Sequence, residues 1–101
     1  MDTLVLGGNI QLTGFSDLDG GKMIVLKKIV GNYAKKLCER CTKFEGLSIT
    51  MKPVHETDSG KIYELHAKLM NDGNPIIGEI SDKNLFVAID KALKKVESGI
   101  S

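Results

Sequence analysis

The chain of 101 residues contains no tryptophan, two prolines, two cysteines, two histidines, and only three phenylalanines and two tyrosines. Two cysteines three positions apart exclude a disulfide scaffold, and two prolines exclude a collagen-like or proline-rich chain. No apolar run approaches the roughly 20 residues of a membrane span. The opening Met1-Asp2-Thr3-Leu4-Val5-Leu6 has no basic start and breaks at Gly7-Gly8, unlike a signal peptide. A cytoplasmic protein without a membrane segment is expected. Charge of one sign is also scarce in total, with 14 Lys and Arg against 13 Asp and Glu and a net of +1. That balance argues against adhesion to nucleic acid by bulk charge alone.

What is present fits one globular domain spanning residues 1–101. The 42% apolar and 27% charged fractions are ordinary for such a domain, and folding should bury roughly 60–70% of the unfolded surface. Ile10 and Leu12 alternate with Gln11 and Thr13, predicting a strand within Asn9 to Phe15. Leu4 to Leu6 read as an extension of it through a bulge at Gly7-Gly8, or else residues 1–8 form a flexible arm. Ser16 to Gly21 supply turn residues and N-cap candidates.

From Lys22 to about Lys43 the period becomes helical. Leu26, Ile29, Val30, Tyr33, Leu37 and Cys41 form one apolar stripe, with Lys28, Lys35, Lys36 and Glu39 opposite. Gly31 within it reads as a point of close packing against the sheet. Leu47, Ile49 and Met51 predict a second strand ending near Pro53, and Val54 to Gly60 read as a polar loop. Tyr63, Leu65, Ala67 and Leu69 predict a third strand. Asn71-Asp72-Gly73-Asn74 signals a hairpin into a fourth strand, Pro75 to Ile80. Ser81 or Asp82 is the expected cap of a second helix whose stripe is Leu85, Phe86, Ile89, Ala92, Leu93 and Val96, with Gly99 just past its end. The expected fold class is α+β: a two-layer sandwich in the order β-α-β-β-β-α, both helices on one face of a four-stranded sheet.

Divided by element, the charge is uneven. Residues 22–43 hold seven cations against Glu39 alone, a net of +6, while residues 1–21 and 44–81 each carry −3. Lys91, Lys94 and Lys95 add to the second helix. Side by side, the helices would present one basic surface that attracts phosphate at low salt. Solvation is the ordinary role of lysines on a helix face, and the same residues serve it. Thirteen Lys to one Arg favours contacts to backbone and shape over base readout.

Other motifs fall short of a site. Cys38 and Cys41 match a CxxC spacing, but His55 and His66 lie eleven apart, unlike a zinc ligand pair. The cysteines also lie near the helix C-terminus, where no dipole lowers a thiol pKa. Gly20-Gly21-Lys22 lacks the flanking residues of a phosphate loop, since Ser16 and Met23 stand in their places. His55-Glu56-Thr57-Asp58 is an acid–base cluster in a loop with no predicted pocket. No metal, cofactor or enzymatic activity is expected.

The stretch Ser81 to Val96 resembles the ribosome hibernation-promoting factor family, whose last helix carries an aromatic-x-Ala-Ile-Asp pattern matched by Phe86, Ala88, Ile89 and Asp90. Asn9 to Gly14 is similar to that family's first strand, and the element order agrees over roughly residues 9–97. The resemblance implies a fold related to double-stranded RNA-binding domains and a non-catalytic module on ribosomal RNA. Its contacts would be Lys28, Lys35, Lys36, Lys91, Lys94 and Lys95. The alternative is a protein-interaction or homodimerising domain. It would use the open sheet face (Ser48, Thr50, Lys52, Glu64, His66, Lys68) or an edge near Pro53 or the N-terminus.

Overall fold

The computed structural model describes residues 2–100. It has two helices and a mixed sheet of six strands, two more than the sequence pattern predicts. Strand β1 (Thr3–Gly7) pairs antiparallel with β2 (Ile10–Thr13). Leu4 to Leu6 therefore form a strand of their own and do not extend the first one. Gly7, Gly8 and Asn9 all have positive φ (+87°, +57° and +66°), which reverses the chain.

Helix α1 (Gly20–Arg40) follows, and its N-cap Asp19 accepts from the Lys22 amide at 2.8 Å. The helix carries the chain over to β3 (Phe44–Met51), which lies parallel to β2. It ends at Arg40 and not Lys43, because Cys41 is already extended and closes the last turn through its amide to the Leu37 carbonyl. Leu26, Val30, Ala34 and Leu37 are buried, with Ile29, Tyr33 and Cys41 packed at the border of the core. Gly31 is exposed, with nothing within 4 Å of where a Cβ would stand, so it is not a site of close packing.

Residues 54–60, expected as a loop, contain a further strand, β4 (His55–Thr57), paired antiparallel with the start of β5 (Gly60–Asn71). The β3–β5 ladder ends at Met51 and Leu65, just before Pro53, as the sequence pattern predicts. The Lys52 amide donates to the Glu64 carbonyl, and pairing resumes at His55 and Ile62. This short strand is exposed throughout, so it has no apolar alternation to detect.

Asp72 and Gly73, both at positive φ, turn the chain into β6 (Asn74–Asp82) on the far side of β5. Because β6 stays paired as far as Asp82 with Tyr63, neither Ser81 nor Asp82 is the cap of helix α2 (Leu85–Ser98). Asn84 caps it, its Oδ1 accepting from the amides of Phe86 and Val87 at 2.9 and 3.1 Å. Asp82 supports the cap by accepting from the Asn84 amide.

The sheet order is β1-β2-β3-β5, with β6 beside β5 and β4 continuing alongside it. One core joins the layers: Leu12, Leu47, Ile49, Leu65, Ala67 and Leu69 from the strands against the buried residues of both helices. Gly78 lets α2 lie close on β6. A Cβ there would stand 2.9 Å from both the Ala92 carbonyl oxygen and the Lys95 Cβ.

Candidate nucleic-acid interface

Two contacts fix the helix layer. The Tyr33 hydroxyl of α1 donates to Asp90 Oδ1 of α2 at 3.0 Å, and Arg40 pairs with Glu97 at 3.5 Å. Seven residues forward on α1 correspond to seven forward on α2, so the helices run side by side and parallel. Their backs form the side of the molecule remote from the sheet.

All six predicted lysines are exposed on this layer, but the two groups differ. Lys28 and Lys35, two turns apart, share one stripe of α1 opposite Leu26, Val30 and Leu37. Among the described residues neither takes part in an ion pair. Lys36 faces the seam, its Nζ 5.1 Å from the centre of the Tyr33 ring. On α2, by contrast, every lysine of the group has an internal partner. Lys91 meets Asp82 at 3.0 Å, Lys94 meets Asp90 at 2.9 Å, and Lys95 donates to the Glu79 carbonyl at 3.1 Å. The two ion pairs are solvent-exposed, a setting worth only about 0.2–1 kcal/mol. Each is therefore a weak contact that costs little to break.

The seam was not foreseen from periodicity. By sequence alone Asp90 belongs to the aromatic-x-Ala-Ile-Asp pattern and Tyr33 to the apolar stripe, on separate helices. In the structure Asp90 accepts from both Tyr33 and Lys94. The Lys94 ammonium, followed by the Tyr33 hydrogen bond, holds its carboxyl below the usual range even though partial burial opposes this. Burial first, and the Asp90 carboxylate second, push the Tyr33 phenol up to about 12. The i,i+4 spacing of Asp90 and Lys94 on a basic face is the one sequence signal that marks this seam.

The remaining candidate chemistry is dispersed. Cys38 is exposed and Cys41 half-buried, and burial raises the Cys41 thiol, away from reactivity. His55 to Thr57 lie on the exposed β4, and His66 is on the open sheet face 3.2 Å from Glu79. Among the described residues no group of three or more His, Cys, Asp or Glu is placed to hold a metal ion. An open groove of about 720 Å³ lies instead at the α1 N-terminus and the ends of β2 and β3, between Thr13, Leu18, Lys22, Met51, Val54 and Tyr63. No described helix is long and apolar enough to cross a membrane. The sequence matches no protein-family model, and no curated protein is recovered as a relative.

Proposed function

We propose that the protein is a non-catalytic RNA-binding module, associated with the ribosome or another structured RNA, that grips the phosphate backbone with its helix layer. The observation that carries this reading is the parallel seating of α1 and α2, which brings Lys36 of α1 and Lys94 of α2 to the Tyr33–Asp90 seam beside the exposed Lys28 and Lys35, with Lys91 and Lys95 continuing the basic group around α2 toward β6. The acidic residues are mostly elsewhere, on the sheet strands and the turns.

Lys28, Lys35 and Lys36 supply the primary charge. The α2 lysines join by exchanging Asp82 and Asp90 for phosphate. Lysine ammonium groups make point contacts to backbone oxygens and carry little base information, so recognition is by the spacing of phosphates. The resemblance to the hibernation-promoting factors names ribosomal RNA as the first target to try.

Co-sedimentation with ribosomal subunits at about 50 and about 200 mM salt tests the reading. Binding at low salt that weakens steeply at the higher salt supports it. Protein left in the supernatant at both contradicts ribosome association. Three lysines without ion-pair partners set a slope of log affinity against log salt of about −3 or steeper.

A further inference from the structure

Apart from the three-residue β4, the sheet ends on two very different edges, β6 and β1. On β6, the Lys95 ammonium covers the Glu79 carbonyl, Pro75 removes an amide, and Glu79 and Asp82 add charge. These are common ways of blocking edge-to-edge pairing. Strand β1, Thr-Leu-Val-Leu-Gly, has none of them: it holds no charge and no proline, and Leu4 and Val5 are 37% and 61% exposed. Helix α1 packs over β3, leaving an open groove of about 270 Å³ against β1 lined by Leu4, Leu12, Phe15 and Met23.

The pairing pattern shows which backbone groups are free. The Gly14 amide donates to the Asp2 carbonyl, so residues 2 and 14 are a bonded pair. Alternation along an antiparallel ladder then makes Leu4 and Leu12 the next bonded pair and turns the amides and carbonyls of Thr3 and Val5 outward. The 3.2 Å contact between the Thr3 and Thr13 hydroxyls agrees, since side chains approach closest at the non-bonded pairs. The strand is also held in place. The Asp2 carboxylate accepts from the Ser16 amide at 2.9 Å, so little order remains to be gained on binding.

We propose that this edge pairs with β1 of a second copy of the chain, antiparallel about a two-fold axis at Val5. That register sets Val5 opposite the partner's Val5 on the open face. On the core side it sets Leu4 opposite the partner's Leu6, extending the apolar floor of the groove. Thr3 meets the partner's Gly7, where the chain turns away, and no charged residue of β1 faces another. An uncharged, self-complementary strand is matched by its own copy, and a charged peptide finds no countercharge on it. A five-residue ladder is smaller than a standard interface of about 1,600 Å², so the dimer is weak, with a Kd of about micromolar or above. The edge holds no lysine, and its occupation is independent of the RNA reading.

Sedimentation equilibrium of the full chain from about 10 μM to about 1 mM tests this. The expected result is a monomer–dimer equilibrium. Val5→Lys and Val5→Glu should each weaken the dimer at least about tenfold, the effect of roughly 1.4 kcal/mol. An equimolar mixture of the two variants should restore a heterodimer. Val5→Pro removes only the outward amide and should act likewise, with thermal melts checking that each variant folds. In the unaltered chain, amide exchange at Thr3 and Val5 should slow as concentration rises. A chain monomeric at every concentration overturns the proposal, as do folded variants that dimerise like the parent.

Discussion

The Tyr33 hydroxyl donates to Asp90 Oδ1 at 3.0 Å, and this bond joins the two helices at the middle of their parallel contact. Asp90 also accepts from Lys94, while Lys36 lies against the Tyr33 ring. One tyrosine and one aspartate therefore hold lysines of both helices around a shared point.

Tyr33→Phe keeps the packing of the ring and removes the hydrogen bond. A net loss of about 1 kcal/mol is expected for a part-buried bond to a charged acceptor that keeps a second partner. For a domain of this size that lowers Tm by roughly 4–8 °C, readable by circular dichroism. An unchanged Tm would mean that the seam holds by apolar packing alone.

Stability should fall at both extremes of pH. Asp90 and Asp82 have lowered carboxyl pKa values, Asp90 first through Lys94 and Asp82 first through the Asn84 amide. Their contribution is complete above the ordinary carboxyl pKa of about 4 and is lost as pH falls below it. Tyr33 is raised from 10.0 to about 12, so the folded state holds that proton longer than the unfolded chain does. Its contribution is complete below pH 10 and is lost as pH rises toward 12. Melting curves across both ranges check the signs, and Tyr33→Phe should remove the seam's share of the alkaline loss.

Two glycines should respond oppositely to alanine. At Gly78 the new methyl meets the Ala92 carbonyl and the Lys95 Cβ at 2.9 Å, so α2 must move away from β6. A loss of about 1–3 kcal/mol is expected from such overpacking. At Gly31, exposed in α1 with nothing within 4 Å, alanine should stabilise by about 0.5–1 kcal/mol through helix propensity. Urea unfolding of the two variants separates the cases.

The elements that bury one face were legible in the sequence, because burial imposes a period. The strands at Ile10–Thr13, Phe44–Met51, Gly60–Asn71 and Asn74–Asp82 and both helices show it. Strand β4 was not legible, since His55, Glu56 and Thr57 are wet on both sides. Strand β1 is not legible as a separate strand because two glycines followed by Asn9 fit a bulge as well as a reversal, and only their left-handed φ values decide. Position 84 was missed as a cap because Ser81 and Asp82 are equally good caps by residue type. What displaces them is the length of the β5–β6 ladder, a property of the pairing and not of the local sequence. The lysines of the candidate surface could be located by helical period. Their partners could not, for Lys91 and Asp82, or Lys95 and the Glu79 carbonyl, meet only once α2 is laid on β6.

The most direct measurement compares RNA binding by two charge-reversed variants, Lys28→Glu/Lys35→Glu/Lys36→Glu on α1 and Lys91→Glu/Lys94→Glu/Lys95→Glu on α2. Titration into fluorescently labelled structured ribosomal RNA at about 50 mM salt gives the affinities, with thermal melts alongside. A single phosphate-binding surface predicts that each triple change weakens binding by about a hundredfold or more, the α1 set with little change in Tm. Binding that survives the α1 changes in a folded protein would contradict the account, leaving those lysines to solvation alone.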